Sequence, residues 1–123
     1  MADNRIGDYK ELIVWKRSME LAKTAYALTK QLPREENYAL ADQIRRSAVS
    51  VPSNIAEGYG RTSTRDYARF LSMARGSAYE LETQLLLCVS FGYIQTKDIS
   101  QPIELIKDVS KILTVILSKL GNS

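Results

Sequence analysis

Apolar residues recur at every third or fourth position along almost the whole chain, and this spacing constrains the fold more than any other feature. Strict alternation of polar and apolar residues, the pattern of a half-buried strand, never lasts for more than a few positions. Each stretch with this spacing ends close to a proline or a glycine. The pattern therefore predicts four helices, over about residues 11–31, 38–57, 63–91 and 98–121.

The apolar side of each predicted helix supplies the candidate core. The main candidates are Val14, Leu21, Ala25 and Leu28 in the first helix, Leu40, Ile44, Ala48, Val51 and Ile55 in the second, and Tyr67, Leu71, Ala74, Ala78, Leu81, Leu85 and Cys88 in the third. The connections are short, which favours antiparallel neighbours. We expect one domain over residues 1–123, all-α, folded as an antiparallel up-down-up-down four-helix bundle.

Proline and glycine positions refine this prediction. Pro52 lies inside the second helix without changing the phase of the apolar spacing, so we expect a kinked but continuous helix. Gly58 and Gly60 are expected to end it with a left-handed residue, and Gly92 to end the third helix. Gly76 lies in the middle of the third helix, where a close helix crossing would explain it.

The chain contains no histidine, and this excludes most catalytic and metal sites. Histidine bases, nucleophiles activated by histidine and the usual zinc and di-iron ligand sets are ruled out. Glu57, Glu80 and Glu82 could hold magnesium, but Glu57 near a glycine turn and Glu80 near Arg75 more simply make caps or ion pairs. Cys88 is expected to be buried and inert. We therefore predict no catalytic residue, metal or cofactor and no enzymatic activity; a metal-dependent nuclease is a distant alternative.

Positive charge is concentrated in the middle of the chain. Residues 38–76 contain six cations and three anions, and all six cations are arginine, whereas every lysine lies elsewhere. The planar guanidinium group suits paired contacts with phosphate better than the lysine ammonium does. The candidate nucleic-acid-binding residues are Arg45, Arg46, Arg61, Arg65, Arg69 and Arg75. The alternative is that these arginines simply solvate the outer faces of helices.

The third and fourth helices carry more apolar surface than one bundle contact uses. Tyr79, Thr83, Leu86 and Leu87 continue the side of the third helix that carries the arginines, and apolar residues cover about half of the fourth helix. This surplus predicts self-association. A thicker core in a monomer is the alternative.

Several features bear on the cellular location. The longest unbroken apolar run, residues 85–89, is far shorter than the roughly 20 residues of a membrane span. Residues 1–5 lack a basic segment followed by an apolar one, so no signal peptide is expected. A single cysteine cannot form an internal disulfide. These features predict a cytoplasmic protein without membrane contact.

Four segments together resemble the bacterial family of 23S rRNA intervening-sequence proteins. They are ELIVW at residues 11–15, LPREENYAL at 32–40, QIRRSAVSVPSNIAEGYGR at 43–61 and FLSMARGSAYELETQL at 70–85. The sequence is also similar to the accessory variability determinant of diversity-generating retroelements. Asn37 and Ala39 depart from the family pattern, where a basic residue and glycine are common. Ala39 should favour an earlier start of the second helix.

The resemblance implies an antiparallel four-helix bundle that assembles into a homopentameric ring. It also implies contact with nucleic acid, and with a nucleic-acid-processing protein, through a basic surface. Together with the arginines, it favours a non-enzymatic oligomer that binds RNA or DNA with little sequence preference. The alternative is a protein-interaction scaffold whose arginines pair with acidic residues of neighbouring subunits.

Overall fold

The computed structural model describes residues 5–121, and four long helices account for most of them. α1 spans Ile13–Leu28, α2 Leu40–Tyr59, α3 Thr64–Ser90 and α4 Ser100–Lys119. Short 3-10 turns at Tyr9–Glu11, Thr29–Gln31, Arg34–Glu36 and Thr96–Ile99 occupy the connections. No strand occurs in this range, so the predicted all-α class is confirmed. Residues 1–4, on which the prediction of no signal peptide largely rests, lie outside the described residues.

The helices pack around a single core, with α2 against α1 and α3, and α4 against α1 and α3. Contacts between α2 and α3 move in opposite directions along the two helices. Ser47 hydrogen bonds to Gln84 at 2.7 Å, and Ser50 to Ser77 at 2.8 Å, while Gly58 lies beside Phe70. α2 and α3 are therefore antiparallel, and the start of one lies level with the end of the other.

The residues that carry the apolar spacing form the core. The main core candidates named above in the first three helices are all buried, as are Leu105, Ile106, Val109, Leu113 and Leu117 in α4. Burying apolar surface of this extent is the main term that stabilises a helical bundle. Within residues 5–121, no helix combines the length and the apolar composition needed to cross a lipid bilayer.

α2 differs from the prediction at both ends. It begins at Leu40, because Asn37, Tyr38 and Ala39 form a turn; the earlier start expected from Ala39 is wrong. It runs unbroken through Pro52, whose side chain is buried, and the kink there stays a prediction.

The glycines near the end of α2 do not act as left-handed stops. Gly58 is inside the helix, and Gly60 has a φ of −83°, so the expectation for both is wrong. Gly58 is required for a different reason. A Cβ atom there would lie 2.7 Å from the Cβ of Phe70, which only a glycine avoids.

α3 begins and ends as the sequence predicts. The Ser63 side chain accepts a hydrogen bond from the Asp66 amide at 3.0 Å, and Gly92 follows the helix with a φ of +80°. The close crossing expected at Gly76 is wrong, because a Cβ there would meet open space. The neighbouring Ser77 makes the contact with α2 instead.

A hydrogen bond joins the α1–α2 connection to the α3–α4 loop, at the end of the bundle opposite the α2–α3 turn. The Tyr93 hydroxyl, just after α3, donates to a carboxylate oxygen of Glu36 at 2.6 Å. This bond raises the pKa of Tyr93, because the carboxylate stabilises the protonated hydroxyl. It holds the α1–α2 connection against the α3–α4 loop.

Candidate nucleic-acid interface

Three of the six candidate arginines lie together where α2 ends and α3 begins. Arg61 is in the turn, and Arg65 and Arg69 lie one turn apart on the exposed side of α3. Arg65 and Arg69 line one shallow surface hollow with Ser72. We call Arg61, Arg65 and Arg69 the α3 basic cluster.

Phe70 organises two arginines of this cluster. The guanidinium carbons of Arg61 and Arg69 each lie 4.6 Å from the centre of its ring, a distance typical of cation–π contacts. The ring itself is buried. Two guanidinium groups are therefore held against one fixed ring, which limits their motion while leaving donor groups exposed.

Acidic neighbours offset part of the charge of the cluster. Arg61 pairs with Glu57 at 2.9 Å, and Arg69 approaches Asp66 at 3.7 Å. Both pairs are exposed to solvent, where ion pairs contribute about 0–1 kcal/mol, so an approaching phosphate can compete with them. Arg65 makes no hydrogen bond or ion pair within residues 5–121.

Arg5 adds a cation that the sequence patterns did not reveal. Its side chain donates hydrogen bonds to the carbonyl oxygens of Gly58 at 3.0 Å, Tyr59 at 3.2 Å and Arg61, and its guanidinium carbon lies 4.4 Å from the centre of the Tyr67 ring. These contacts close the carboxyl end of α2. They link residues more than 50 positions apart, so local spacing carries no signal for them.

Arg45 and Arg46 lie at the opposite end of α2. The 14 positions from Arg45 to Tyr59, the last residue of α2, correspond to about 21 Å of helix. Arg45 donates to the Asn37 carbonyl oxygen at 2.6 Å and to Thr29 at 3.4 Å, whereas Arg46 pairs with Asp42 at 3.0 Å and remains largely exposed. The structure thus separates these two arginines from the α3 basic cluster.

Arg75 is also apart from the cluster. It is half-buried and donates to the hydroxyl of Thr114 on α4 at 3.0 Å. No ion pair joins it to Glu80 within the described range, although the sequence suggested one there. Glu57 does form the kind of ion pair expected of it, with Arg61.

The remaining candidate chemistry is sparse. Among residues 5–121, no three acidic or cysteine side chains gather closely enough to hold a metal ion. Cys88 is fully buried, as predicted, and its burial raises the pKa of the thiol to about 11. A thiol in this state is a poor nucleophile at neutral pH.

The fold and the arginine cluster together define a helical-bundle protein with one basic end. The chain belongs to the 23S rRNA-intervening sequence protein family, whose model matches residues 10–115. The family resemblance of the four sequence segments is thereby confirmed. Similarity to the accessory variability determinant stays a prediction.

A solved structure and the curated proteins add little about activity. The chain is similar to a protein with unknown function from the S23 ribosomal protein family from Bacteroides thetaiotaomicron, at 28% sequence identity and a TM-score of 0.79. The match covers 85% of this chain and 98% of that one. No curated protein matches the sequence.

Proposed function

We propose that this protein is a non-enzymatic, oligomeric accessory protein of the cytoplasm that binds RNA or DNA through its arginine-rich surface. The observation that carries the proposal is the grouping of three exposed arginines where α2 ends and α3 begins, two of them held against the Phe70 ring. Guanidinium groups contact phosphate oxygens through paired, charge-assisted hydrogen bonds. Because every nucleic-acid sequence presents the same phosphates, the binding is tolerant of sequence.

The six arginines have different roles in this proposal. The α3 basic cluster makes the main phosphate contacts, and Arg46, which remains largely exposed, makes a secondary one. Arg45 and Arg75 donate hydrogen bonds within the chain, so their contribution is smaller.

Self-association strengthens the binding surface. Tyr79, Leu86 and Leu87 on α3 and Val115 on α4 are exposed apolar residues suited to a neighbouring subunit. We propose a homopentameric ring, in which repetition of the cluster adds the potentials of the subunits into one basic surface. Nucleic acid and a nucleic-acid-processing protein are the other proposed partners.

A protein-interaction scaffold is the alternative function. Glu80 and Glu82 make no ion pair within residues 5–121, so they are available to arginines of a neighbouring subunit. In that arrangement the α3 basic cluster would be neutralised inside the assembly and would leave nucleic acid unbound.

Salt titration of binding separates the two functions. We expect fluorescence anisotropy with a labelled single-stranded RNA to show affinity that falls steeply with salt concentration, by a log–log slope of about −0.7 for each phosphate contacted. Replacing Arg65 and Arg69 together by alanine should reduce the slope by at least about 1.4 and weaken homopolymers and mixed sequences alike.

Lys97→Ala combined with Lys107→Ala is a matched control. Lys107 forms an i,i+3 ion pair with Glu104 at 3.6 Å, as Arg69 does with Asp66 at 3.7 Å, and both lysines are exposed. The control also removes two positive charges, but away from the cluster, and should leave the slope nearly unchanged. Absence of binding at low salt by an intact oligomer would favour the scaffold.

A further inference from the structure

Two uncovered apolar surfaces of different shape occur on the same chain. The first is an open groove between α1 and α2, with a volume of about 1050 Å³. Its apolar lining includes Trp15, Met19, Ala22, Tyr26, Val49 and Ala56. Met19, Tyr26 and Val49 are each exposed by nearly half of their surface. We call this surface the α1–α2 groove.

The second surface is convex and lies on α3. Tyr79, Thr83, Leu86 and Leu87 follow the i, i+4, i+7, i+8 spacing of one helix face, and all four are exposed. Leu86, four residues before the end of α3, is 52% exposed, and with Tyr79 and Leu87 it gives this face several large exposed apolar side chains. We call this surface the α3 ridge, and it shares no residue with the α1–α2 groove.

The dimensions of the two surfaces are compatible. The ridge from Tyr79 to Leu87 extends over about 12 Å of helix, and the α1 wall of the groove from Trp15 to Tyr26 over about 17 Å. The ridge can therefore lie along the groove within the length of the groove, in the manner of a helix that docks its apolar face into a hydrophobic groove.

The charges at the edges of the two surfaces are opposite. Lys23 on α1 and Lys30 in the turn that follows α1 both line the groove. Glu80 and Glu82 flank the ridge. None of these four side chains forms an ion pair within residues 5–121. Glu20 also lines the groove, where the two lysines outnumber it.

We propose that the α3 ridge of one copy packs into the α1–α2 groove of the next, with Glu80 and Glu82 facing Lys23 and Lys30. This inference rests on the self-association included in the proposed function and specifies its surfaces. Because the two surfaces differ, the contact is heterologous, and each copy uses one surface for each of two neighbours. Repeated from copy to copy, such a contact closes into a ring or continues as a filament.

Two variants that each lose one surface test the proposal. Met19→Glu introduces a charge into the groove, and Leu86→Glu introduces one on the ridge; both side chains are exposed, so the helices should remain intact by circular dichroism. We expect each variant alone to have the mass of a 13.9 kDa monomer by light scattering. Mixed together, they should form a one-to-one dimer of twice that mass, because one intact groove and one intact ridge remain.

Charge reversal provides a second test that does not place a charge on an apolar surface. Lys23→Glu and Glu80→Lys should each weaken self-association at least tenfold at low salt, and the double variant should recover most of the loss. Lys16→Glu is the matched control, since Lys16 is an exposed lysine of α1 outside the groove lining, and it should leave association unchanged.

The possible failures are distinguishable. A wild-type monomer at micromolar concentration would overturn this proposal and the oligomeric part of the proposed function, while salt titration judges nucleic-acid binding separately. A wild-type oligomer whose two variants stay monomeric when mixed would show that the surfaces are wrong and leave the oligomer standing. If Leu86→Glu unfolds the chain, Leu86 belongs to the monomer core and the ridge is wrong; failure of the double charge variant to recover association would also overturn the proposal.

Discussion

Gly58 on α2 and Phe70 on α3 approach so closely that no other residue fits at position 58 without movement of one helix. A Cβ at Gly58 would lie 2.7 Å from the Cβ of Phe70, below the 3.0 Å that real Cβ contacts essentially never cross. Phe70 also supports Arg61 and Arg69 on its ring. The close approach at Gly58 therefore fixes the position of Phe70, whose ring supports two arginines of the α3 basic cluster.

Gly58→Ala should lower the free energy of unfolding by about 1–3 kcal/mol, the usual cost of forcing an extra carbon into a packed interior. The Cβ of Phe70 cannot rotate away, because it is attached directly to the α3 backbone. Urea unfolding followed by circular dichroism measures the effect.

Gly76→Ala is the matched comparison, since it makes the same chemical change inside a helix. A Cβ at Gly76 meets open space, so the higher helix propensity of alanine should raise the free energy of unfolding by about 0.5–1 kcal/mol. If both variants shifted stability in the same direction, the distinction between the two sites would be contradicted.

The buried thiol of Cys88 should make stability depend on alkaline pH. Burial raises its pKa from an ordinary 9.0 to about 11. The folded chain then keeps the thiol protonated while the unfolded chain ionises it. The resulting stabilisation is complete below about pH 9 and is lost as pH rises towards 11. A shift of this size corresponds to roughly 2–3 kcal/mol.

Comparison with Cys88→Ala isolates this effect. The substitution removes packing at all pH values, and this loss is constant. Between pH 8 and pH 11, the free energy of unfolding of Cys88→Ala relative to wild type should therefore rise by up to roughly 2–3 kcal/mol in urea unfolding. Tyrosines and lysines titrate equally in both proteins and cancel in the difference. A constant difference across this range would show that the thiol has an ordinary pKa.

We expect no cleavage of RNA or DNA by the purified protein. The chain has no histidine, and its single cysteine is buried. The test is incubation of single-stranded substrates with magnesium or manganese. Activity that copurifies with the protein and disappears in Glu57→Gln or Glu80→Gln would contradict the prediction, whereas activity retained in both variants would indicate a contaminant.

Apolar spacing was sufficient to predict the four helices and most of the large buried side chains of the first three. Leu21, Ile44 and Leu81, for example, are buried because one face of each helix must leave water, and a period of 3.6 residues identifies that face. The two ends of α3 were also predicted, since the Ser63 cap and the Gly92 turn each depend on a few neighbouring residues.

The sequence could not reveal features that depend on the partner helix. Gly58 and Gly76 are both glycines in helices, and only the position of α3 distinguishes a close approach from open space. In the same way, the helical spacing places Arg75 on the outward side of α3, but its side chain donates a hydrogen bond to Thr114 on α4. Arg5 joins the basic end through contacts more than 50 residues away, which no local pattern encodes.

The hydrogen bonds of Arg5 also shape the electrostatic field at this end of the molecule. α2 ends and α3 begins within a few residues, so the negative pole of one helix dipole adjoins the positive pole of the next. Arg5 binds the terminal carbonyl groups and screens the negative pole, which carries roughly half an elementary charge. An approaching anion therefore meets the positive pole of α3 and its arginines without the opposing field of α2.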